Sequence, residues 1–286
     1  MLTPGAWAGN LVDYRSVQAG FIESLRSLSV FDRLLGDNAL RRVPLKTRIT
    51  SVSSAVTGAQ YGEQQLYRIG RMSLDGEQIE PVKTTAVIVL TDEVFRSTGT
   101  AGQTFLSAEL RGAVSAATDL TFLNGIMLGA ASSVSAGTTA ANVYADISTL
   151  LDTVAAKGVA KLYLVMGPAN ARRLAVKLST SGVQAFPNMT PSGGEIGGIP
   201  VLVTDQLPAN TLLLIDASAI AGDSDIVTLD ASEHADIQMS DTPTTDGTTP
   251  VVSLWQSNQR AIRAERWFGF QLIRAAGVAT ITAATY

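Results

Sequence analysis

Residues 103–123, QTFLSAELRGAVSAATDLTFL, read as one long amphipathic helix, and the rest of the chain is expected to lie on or beside it. Leu106, Leu110, Val114, Ala117 and Leu120 recur at three- and four-residue steps. That spacing puts them on one stripe that can be buried while Glu109, Arg111 and Asp119 stay in water. At 1.5 Å per residue such a rod runs roughly 30 Å. Thr100–Gln103 leads in, and Asn124-Gly125 supplies the residues that most easily take the left-handed conformation ending a helix. Gly112 costs the helix about 1 kcal/mol against alanine, so it needs tertiary packing to persist.

The 286 residues suffice for one large domain or two ordinary ones, and 46 % apolar content is normal for a chain with a real core. Charged residues are only 16 %, below the roughly 25 % of an average soluble domain. The shortfall points to surface covered by other subunits. With no cysteine and a single histidine, His234, neither a disulfide framework, a thiolate metal site nor a multi-histidine site is available, and no cofactor is expected. No stretch approaches the ~18 uninterrupted apolar residues of a membrane span, so no membrane partner is expected and the chain should be soluble.

Net charge is −4, unevenly spread. Residues 1–48 and 255–286 are each +3, 49–140 is −3 and 141–249 is −7. The acidic middle is a poor surface for nucleic acid, because phosphate contacts are mainly electrostatic; only the two ends suit polyphosphate.

In chain order, Val12–Leu35 carries Val17, Phe21, Leu25 and Leu28 at helical spacing and is followed by Gly36-Asp37-Asn38, a short helix on an arm. This helix packs either on its own domain or on a neighbour. Thr47–Thr57 and Leu66–Leu74 alternate as strands around Gly58–Gly62. With few large apolar residues they form a projecting hairpin ordered against another surface, since an isolated hairpin is marginal in water. Val82–Leu90 is a strand whose AVIVL end predicts burial on both faces, and Thr91-Asp92-Glu93 is a helix-capping signature opening a short turn through Arg96. Ala130–Ala141, AASSVSAGTTAA, reads as a flexible linker at a domain boundary.

Beyond it the pattern is that of an α/β domain: a helix over Val143–Ala156, a strand at Leu162–Met166 and a helix through Leu178 with Pro168 at its first position. Ser179–Gly198 reads as a long loop, Ile199–Val203, Leu212–Ile215 and Ile226–Leu229 as strands, and Ser240–Pro250 as another loop. Val251–Ile273 returns in extended structure and Val278–Thr282 is a last strand. A linker out and a return at the end make 141–249 an insertion into an α+β domain built from both flanks.

This order of parts resembles the major capsid protein of tailed double-stranded DNA phages, the Hong Kong 97 type fold, over essentially the whole chain. The resemblance is carried by TTAVIVLTDEVFRST (84–98), the long helix ending TDLTFLNG (118–125), LYLVMGPANARRLAVKL (162–178), GGIPVLVTDQLP (197–208) and WQSNQRAIRAERWFGFQLIRAAGVATI (255–281). It implies an N-terminal arm (1–45), an extended hairpin loop (46–82), a peripheral domain (83–140 with 250–286) containing the spine helix 103–123, and an axial domain (141–249). It further implies a structural protein, not an enzyme, that assembles with itself through pentamers and hexamers into an icosahedral head of the virion, built in the bacterial cytoplasm. The implied partners are a scaffolding protein or segment, a portal protein, a decoration protein, and double-stranded DNA held on the inner face without sequence specificity. An encapsulin-type nanocompartment enclosing a cargo enzyme is the alternative, told apart by what co-purifies. A soluble α/β enzyme built on 141–249 would need a convergent set of polar residues, and none is found.

Some members of the family join subunits through a hairpin lysine and an asparagine, helped by a glutamate that takes a proton. Asn258 and Glu265 lie in the corresponding late strand, but 47–82 has no lysine, and guanidinium groups such as Arg68 and Arg71 stay protonated. The shell is therefore expected to be non-covalent. No acidic, helical, coiled-coil-prone segment precedes the arm, so either the chain is the mature product of proteolysis or scaffolding is a separate protein, with Met1, if it is the initiator, favouring the second.

Ser192–Gly198 lacks the GK[ST] of a phosphate loop and reads as a mobile loop, which the family resemblance places near a capsomer axis. Glu233-His234-Ala235-Asp236 has no motif nucleophile beside it, and Asp223-Ser224-Asp225 and Asp241–Asp246 lack calcium-loop spacing, so no catalytic or metal residue is assigned. Arg41, Arg42, Lys46 and Arg48 form the densest basic patch. These four are read as making inter-subunit salt bridges rather than binding DNA, and Tyr61, Arg68 and Arg71 join them as candidates for inter-subunit contact.

Overall fold

The structure is a computed structural model that describes residues 29–286 apart from 55–57, 59, 62–68, 70–72, 156–160, 226, 241 and 244–249. Among the described residues the strands are, in chain order, β1 (Arg41–Arg42), β2 (Arg48–Ser54), β3 (Ser73–Gln78), β4 (Val82–Thr91), β5 (Ala131–Val134), β6 (Leu162–Met166), β7 (Met189–Thr190), β8 (Gly193–Ile196), β9 (Ile199–Val203), β10 (Leu212–Asp216), β11 (Ile220–Ser224), β12 (Thr228–Ser232), β13 (Asp236–Gln238), β14 (Val251–Ser253), β15 (Gln259–Leu272) and β16 (Val278–Thr282). Helices span Val30–Gly36, Asp92–Met127, Ala140–Ala155 and Pro168–Ala175. The chain divides into two compact units, 1–36 with 82–123 and 224–268, and 37–81 with 124–223 and 269–286.

In the first unit β15 is the central strand. It pairs antiparallel with β4, from Gln259 opposite Thr91 to Phe268 opposite Val82, and with β12, Glu265 opposite Thr228. β13 and β14 pair as a separate ribbon. Leu110 and Val114 of the long helix pack with Val227 and Ala264, and Ala86, Ile88, Leu229 and Ile262 close round them. Burial of β4 alternates instead of being two-sided. Ala86 and Ile88 face this core and Val87 is 51 % exposed, because β4 has the helix on one face only.

The expected helix over 103–123 is part of one continuous helix, Asp92–Met127. Its start is at the Thr91-Asp92-Glu93 signature itself, so no separate short turn precedes it. Its end is also later. Gly125 does not stop the helix; a β-carbon there would lie 2.6 Å from Cε2 of Phe270, so this glycine makes room for a ring. The left-handed residue is Gly129, with φ of +86°. Leu110 and Val114 are buried as the periodicity requires, but Leu120 is 45 % exposed and Asp119, expected in water, is buried.

The second unit is built on a seven-stranded mixed sheet of order β5-β16-β10-β6-β9-β8-β7. β10, LLLID, is buried throughout, as a strand between two neighbours with apolar cover must be. Val143, Ile147, Leu150 and Val154 of helix Ala140–Ala155 and Ala171 and Leu174 of helix Pro168–Ala175 share one core with β6, β9, β10 and β16. In the same unit β2 pairs antiparallel with β3; β2 lies within the expected strand 47–57, whereas β3 starts only at Ser73, at the end of the expected strand 66–74, and β1 runs parallel to β11.

Two loops of the sequence reading turn out to be strands. Ala131–Val134 pairs parallel with β16 from Ala131 opposite Ala279 to Val134 opposite Thr282, which gives its backbone groups partners that a linker would leave to water. Gly193–Ile196 is β8, antiparallel to β7 and β9. Gly193, at φ of +121°, lies where a β-carbon would meet the Val201 carbonyl oxygen at 2.8 Å, so the glycines permit close pairing and do not mark a mobile loop. The compact units also cut the chain at other points than the five expected segments. β12 groups 224–249 with β4 and β15, and β16 groups 269–286 with the seven-stranded sheet. The second hairpin stretch 66–72, the arm before residue 29 and most of the 240–250 loop fall outside the described residues, save for Ile69 in the first and isolated positions in the last.

Candidate assembly interface

The helix Val30–Gly36 is fastened to the first unit by two buried carboxylates. Ser29 Oγ donates to Asp119 Oδ1 at 2.5 Å, and the backbone N–H groups of Val30 and Phe31 donate to Asp119 at 2.9 and 3.2 Å. Asp119, about ninety residues away, thus does what a local capping side chain does for the first turn. Burial pushes its carboxyl above the ordinary carboxylate range, and the three donors pull the other way. One turn on, Asp32 receives both terminal nitrogens of Arg266, Nη1 at 2.8 Å, in a buried fork-to-fork pair. Phe31 fills the space between, 5.0 Å from the Phe122 ring and 5.4 Å from that of Phe268.

Further out, Arg260 bridges Asp92, at 3.3 Å, and Glu233. Lys83 Nζ lies 2.8 Å from Glu265, which also accepts from Trp267 Nε1 at 3.0 Å. The hydrogen bond from Lys83 is the main reason that the Glu265 carboxyl is held below its usual range. In the second unit, Asp146 accepts from Ser135 Oγ at 2.6 Å, Ala136 N–H at 2.8 Å and Tyr286 Oη at 2.7 Å. Burial, and then that carboxylate, drive the Tyr286 phenol well above its normal range. Asp216 takes Arg274 together with the hydroxyl and N–H of Ser218. Arg41 and Arg274 also line a cleft of about 340 Å³ in this unit.

Of the expected contact residues, Arg41 and Arg42 are exposed on β1, opposite Ala221 and Gly222. Lys46 is exposed at φ of +64°, with its N–H on the Ile79 carbonyl, and Arg48 is exposed at the start of β2. These four lie along one short segment of the second unit. Tyr61 is half-buried, and Arg68 and Arg71 lie outside the described residues. The anchoring pair Asp32–Arg266 and the cap Asp119 were not among the expected residues. A signal for Asp119 exists: Phe122, Leu123 and Ile126 follow it at three, four and seven residues, so it shares their buried face. For Asp32 and Arg266, 234 residues apart, no local signal exists. Among the described residues no group of three metal-ligating side chains is found, and no helix is long and apolar enough to cross a membrane.

An α+β chain of this design has close relatives in shape among phage capsid proteins. A solved chain of Gordonia phage Cozz superposes with a TM-score of 0.67 over 86 % of this chain and 85 % of its own, at 13 % identity. A chain from the capsid of an empty GTA particle gives 0.61 over 86 % and 88 %, at 12 % identity. In sequence, the capsid polyprotein of Pseudomonas phage PAJU2 is 32 % identical over 96 % of this chain. The chain spans less than half, 45 %, of that relative's length. The phage capsid family matches residues 10–283. The chain belongs to the phage capsid family, a family of structural capsid proteins.

Proposed function

We propose that this chain is the repeating subunit of an icosahedral phage head, closing through pentamers and hexamers around double-stranded DNA. The family match over residues 10–283 is the observation that carries the reading. Closed symmetry repeats each contact many times, so modest pairwise energies give a stable shell. In this reading 1–45 is the arm, 46–82 the extended hairpin, 83–140 with 250–286 the peripheral domain and 141–249 the axial domain. Arg41, Arg42, Lys46, Arg48, Tyr61, Arg68 and Arg71 make contacts to neighbouring subunits. The shell is non-covalent: 47–82 has no lysine, and Glu265 is engaged by Lys83 of its own chain. Scaffolding, portal and decoration proteins are the further partners, and assembly takes place in the host cytoplasm.

The test is negative-stain microscopy of the expressed chain, alone and with a scaffolding protein from the same phage, beside a denaturing gel. Closed particles or capsomer rings that dissolve to a single band near 30.0 kDa support the reading. A monodisperse monomer under both conditions overturns it. A ladder of covalent multimers overturns the non-covalent part, and a co-purifying enzyme in place of DNA and portal protein favours a nanocompartment.

A further inference from the structure

The cleft of about 340 Å³ in the second unit is walled by Ile49, Ala219 and Ile273 and carries Arg41 and Arg274 on its polar side, with Thr50 beside them. The two guanidinium groups differ in their partners. Arg274 is held by Asp216, whose buried carboxylate also accepts from the Ser218 hydroxyl at 2.7 Å and the Ser218 N–H at 3.1 Å. With 31 % of its side chain accessible, Arg274 is fixed in direction without being sealed off. Arg41 is exposed on β1 and has no ion pair among the described residues. Arg48 adds a third guanidinium at the rim. Thr50 lies opposite Gly76, and a β-carbon on Gly76 would stand 2.8 Å from Nε of Arg48, so this glycine lets the arginine lie across the hairpin next to Thr50. A second carboxylate, that of Glu77 opposite Ile49, accepts from Gln271 Nε2. Three guanidinium groups against two engaged carboxylates leave the cleft and its rim net positive.

We propose that this cleft binds a small organic anion, a carboxylate or phosphate carried on a short apolar group. The oxyanion lies between Arg41 and Arg274, because planar guanidinium forks match its geometry and charge-assisted bonds are roughly twice as strong as neutral ones. Thr50 supplies a neutral donor at that end, whereas the Ser218 hydroxyl already donates to Asp216. Ile49, Ala219 and Ile273 receive the apolar part of the ligand, which a bare ion would leave unfilled. The volume is at the lower end of the roughly 300–1,000 Å³ of small-molecule sites. Asp216 does not touch the ligand; it is the positioning residue that aims Arg274. The cleft lies wholly within one compact unit of one chain. The proposal therefore stands apart from the shell reading, and either can fail alone.

Calorimetric melting of the purified full chain tests this, with butyrate and monobutyl phosphate as probes and butanol and sodium chloride, at matched ionic strength, as controls. A ligand of the folded state raises Tm in proportion to the logarithm of its saturation, which yields Kd. The expected result is a rise with at least one of the two anions and none with butanol or chloride. Which anion binds tells carboxylate from phosphate, since the tails are the same. Arg41→Gln should weaken binding about tenfold or more, the loss of one charge-assisted bond. Lys46→Gln removes an exposed charge of the same segment outside the cleft and should change Kd by less than about twofold, as a screened charge does. Thr50→Glu, at an exposed position, puts a carboxylate of the chain's own beside Arg41 and should abolish the rise; it keeps the test decisive if Arg41→Gln does not fold. No rise with either anion, an equal rise with chloride, equal losses in Arg41→Gln and Lys46→Gln, or wild-type affinity in Thr50→Glu would each overturn the proposal.

Discussion

Replacing Arg266 by methionine keeps most of the side-chain volume and removes the only fork that reaches Asp32 in the described contacts. Both side chains are about 5 % exposed or less. Breaking a buried ion pair from one side typically costs about 3–5 kcal/mol, since the surviving carboxylate has no water to turn to. At about 2–4 °C per kcal/mol for a chain of this size, Tm should fall by about 6–20 °C. Arg266→Lys should recover only part, because an ammonium cannot satisfy both oxygens with two parallel bonds. Asp32→Leu combined with Arg266→Met should lie far closer to wild type than Arg266→Met does, since replacing both partners of a buried pair is often neutral or stabilising. Urea unfolding followed by tryptophan fluorescence, with calorimetry for Tm, measures all four. A single Arg266→Met within about 0.5 kcal/mol of wild type would refute the reasoning, because surface substitutions reach that much. So would a double variant as unstable as the sum of the two singles, which would mean that shape and not charge governs the site.

Asp119 supplies a pH prediction. Its folded carboxyl titrates above the ordinary value of 3.8, so its contribution to stability is fully present below 3.8 and is lost as pH rises through the raised value. Wild type should therefore gain stability as pH falls from neutrality towards 3.8, and Asp119→Asn should flatten that limb in urea titrations; an unchanged limb would reassign it. Glu265, held below 4.5, acts with the opposite sign and only in more acid solution. Tyr286→Phe takes one of three donors from buried Asp146 and should cost about 1–2 kcal/mol by calorimetry. Gly112 is exposed, has open space where a β-carbon would sit, and lies inside the long helix. Gly112→Ala should therefore raise stability by about 1 kcal/mol, and a loss would show that the position is covered. Val114→Asp places a charge against Val227 and Ala264 and should leave no folded protein in the soluble fraction.

Much of the fold was legible because its signals are local. The repeat of Leu110 and Val114 at helical spacing, Thr91-Asp92-Glu93 ahead of a helix, the apolar runs of β6, β9, β10 and β16, and Pro168 at a helix start each depend on residues within a turn or two. The misreadings share one cause, which is that a residue type has several uses. Gly125 was a helix stop by type and is a seat for Phe270 by position. Ala131–Val134 was a linker by composition and is a strand because β16 lies beside it. Asp119 was a surface charge by type and is a buried cap because the chain at Ser29 comes back to it.

The candidate contacts divide in the same way. The cluster Arg41, Arg42, Lys46 and Arg48 is visible in sequence because the four are neighbours, and the missing lysine in 47–82 is a count. Periodicity, composition and the order of parts thus determined the class of fold, the lack of any cysteine or multi-histidine chemistry, and the family resemblance, since each is a property of consecutive residues. Tertiary structure alone decided that Asp32 meets Arg266, that Asp146 holds Ser135 and Tyr286 together, and that Arg41 and Arg274 line one cleft. Strand order and buried pairing are set by residues tens to hundreds of positions apart, whose attraction appears only once the chain has brought them out of water together.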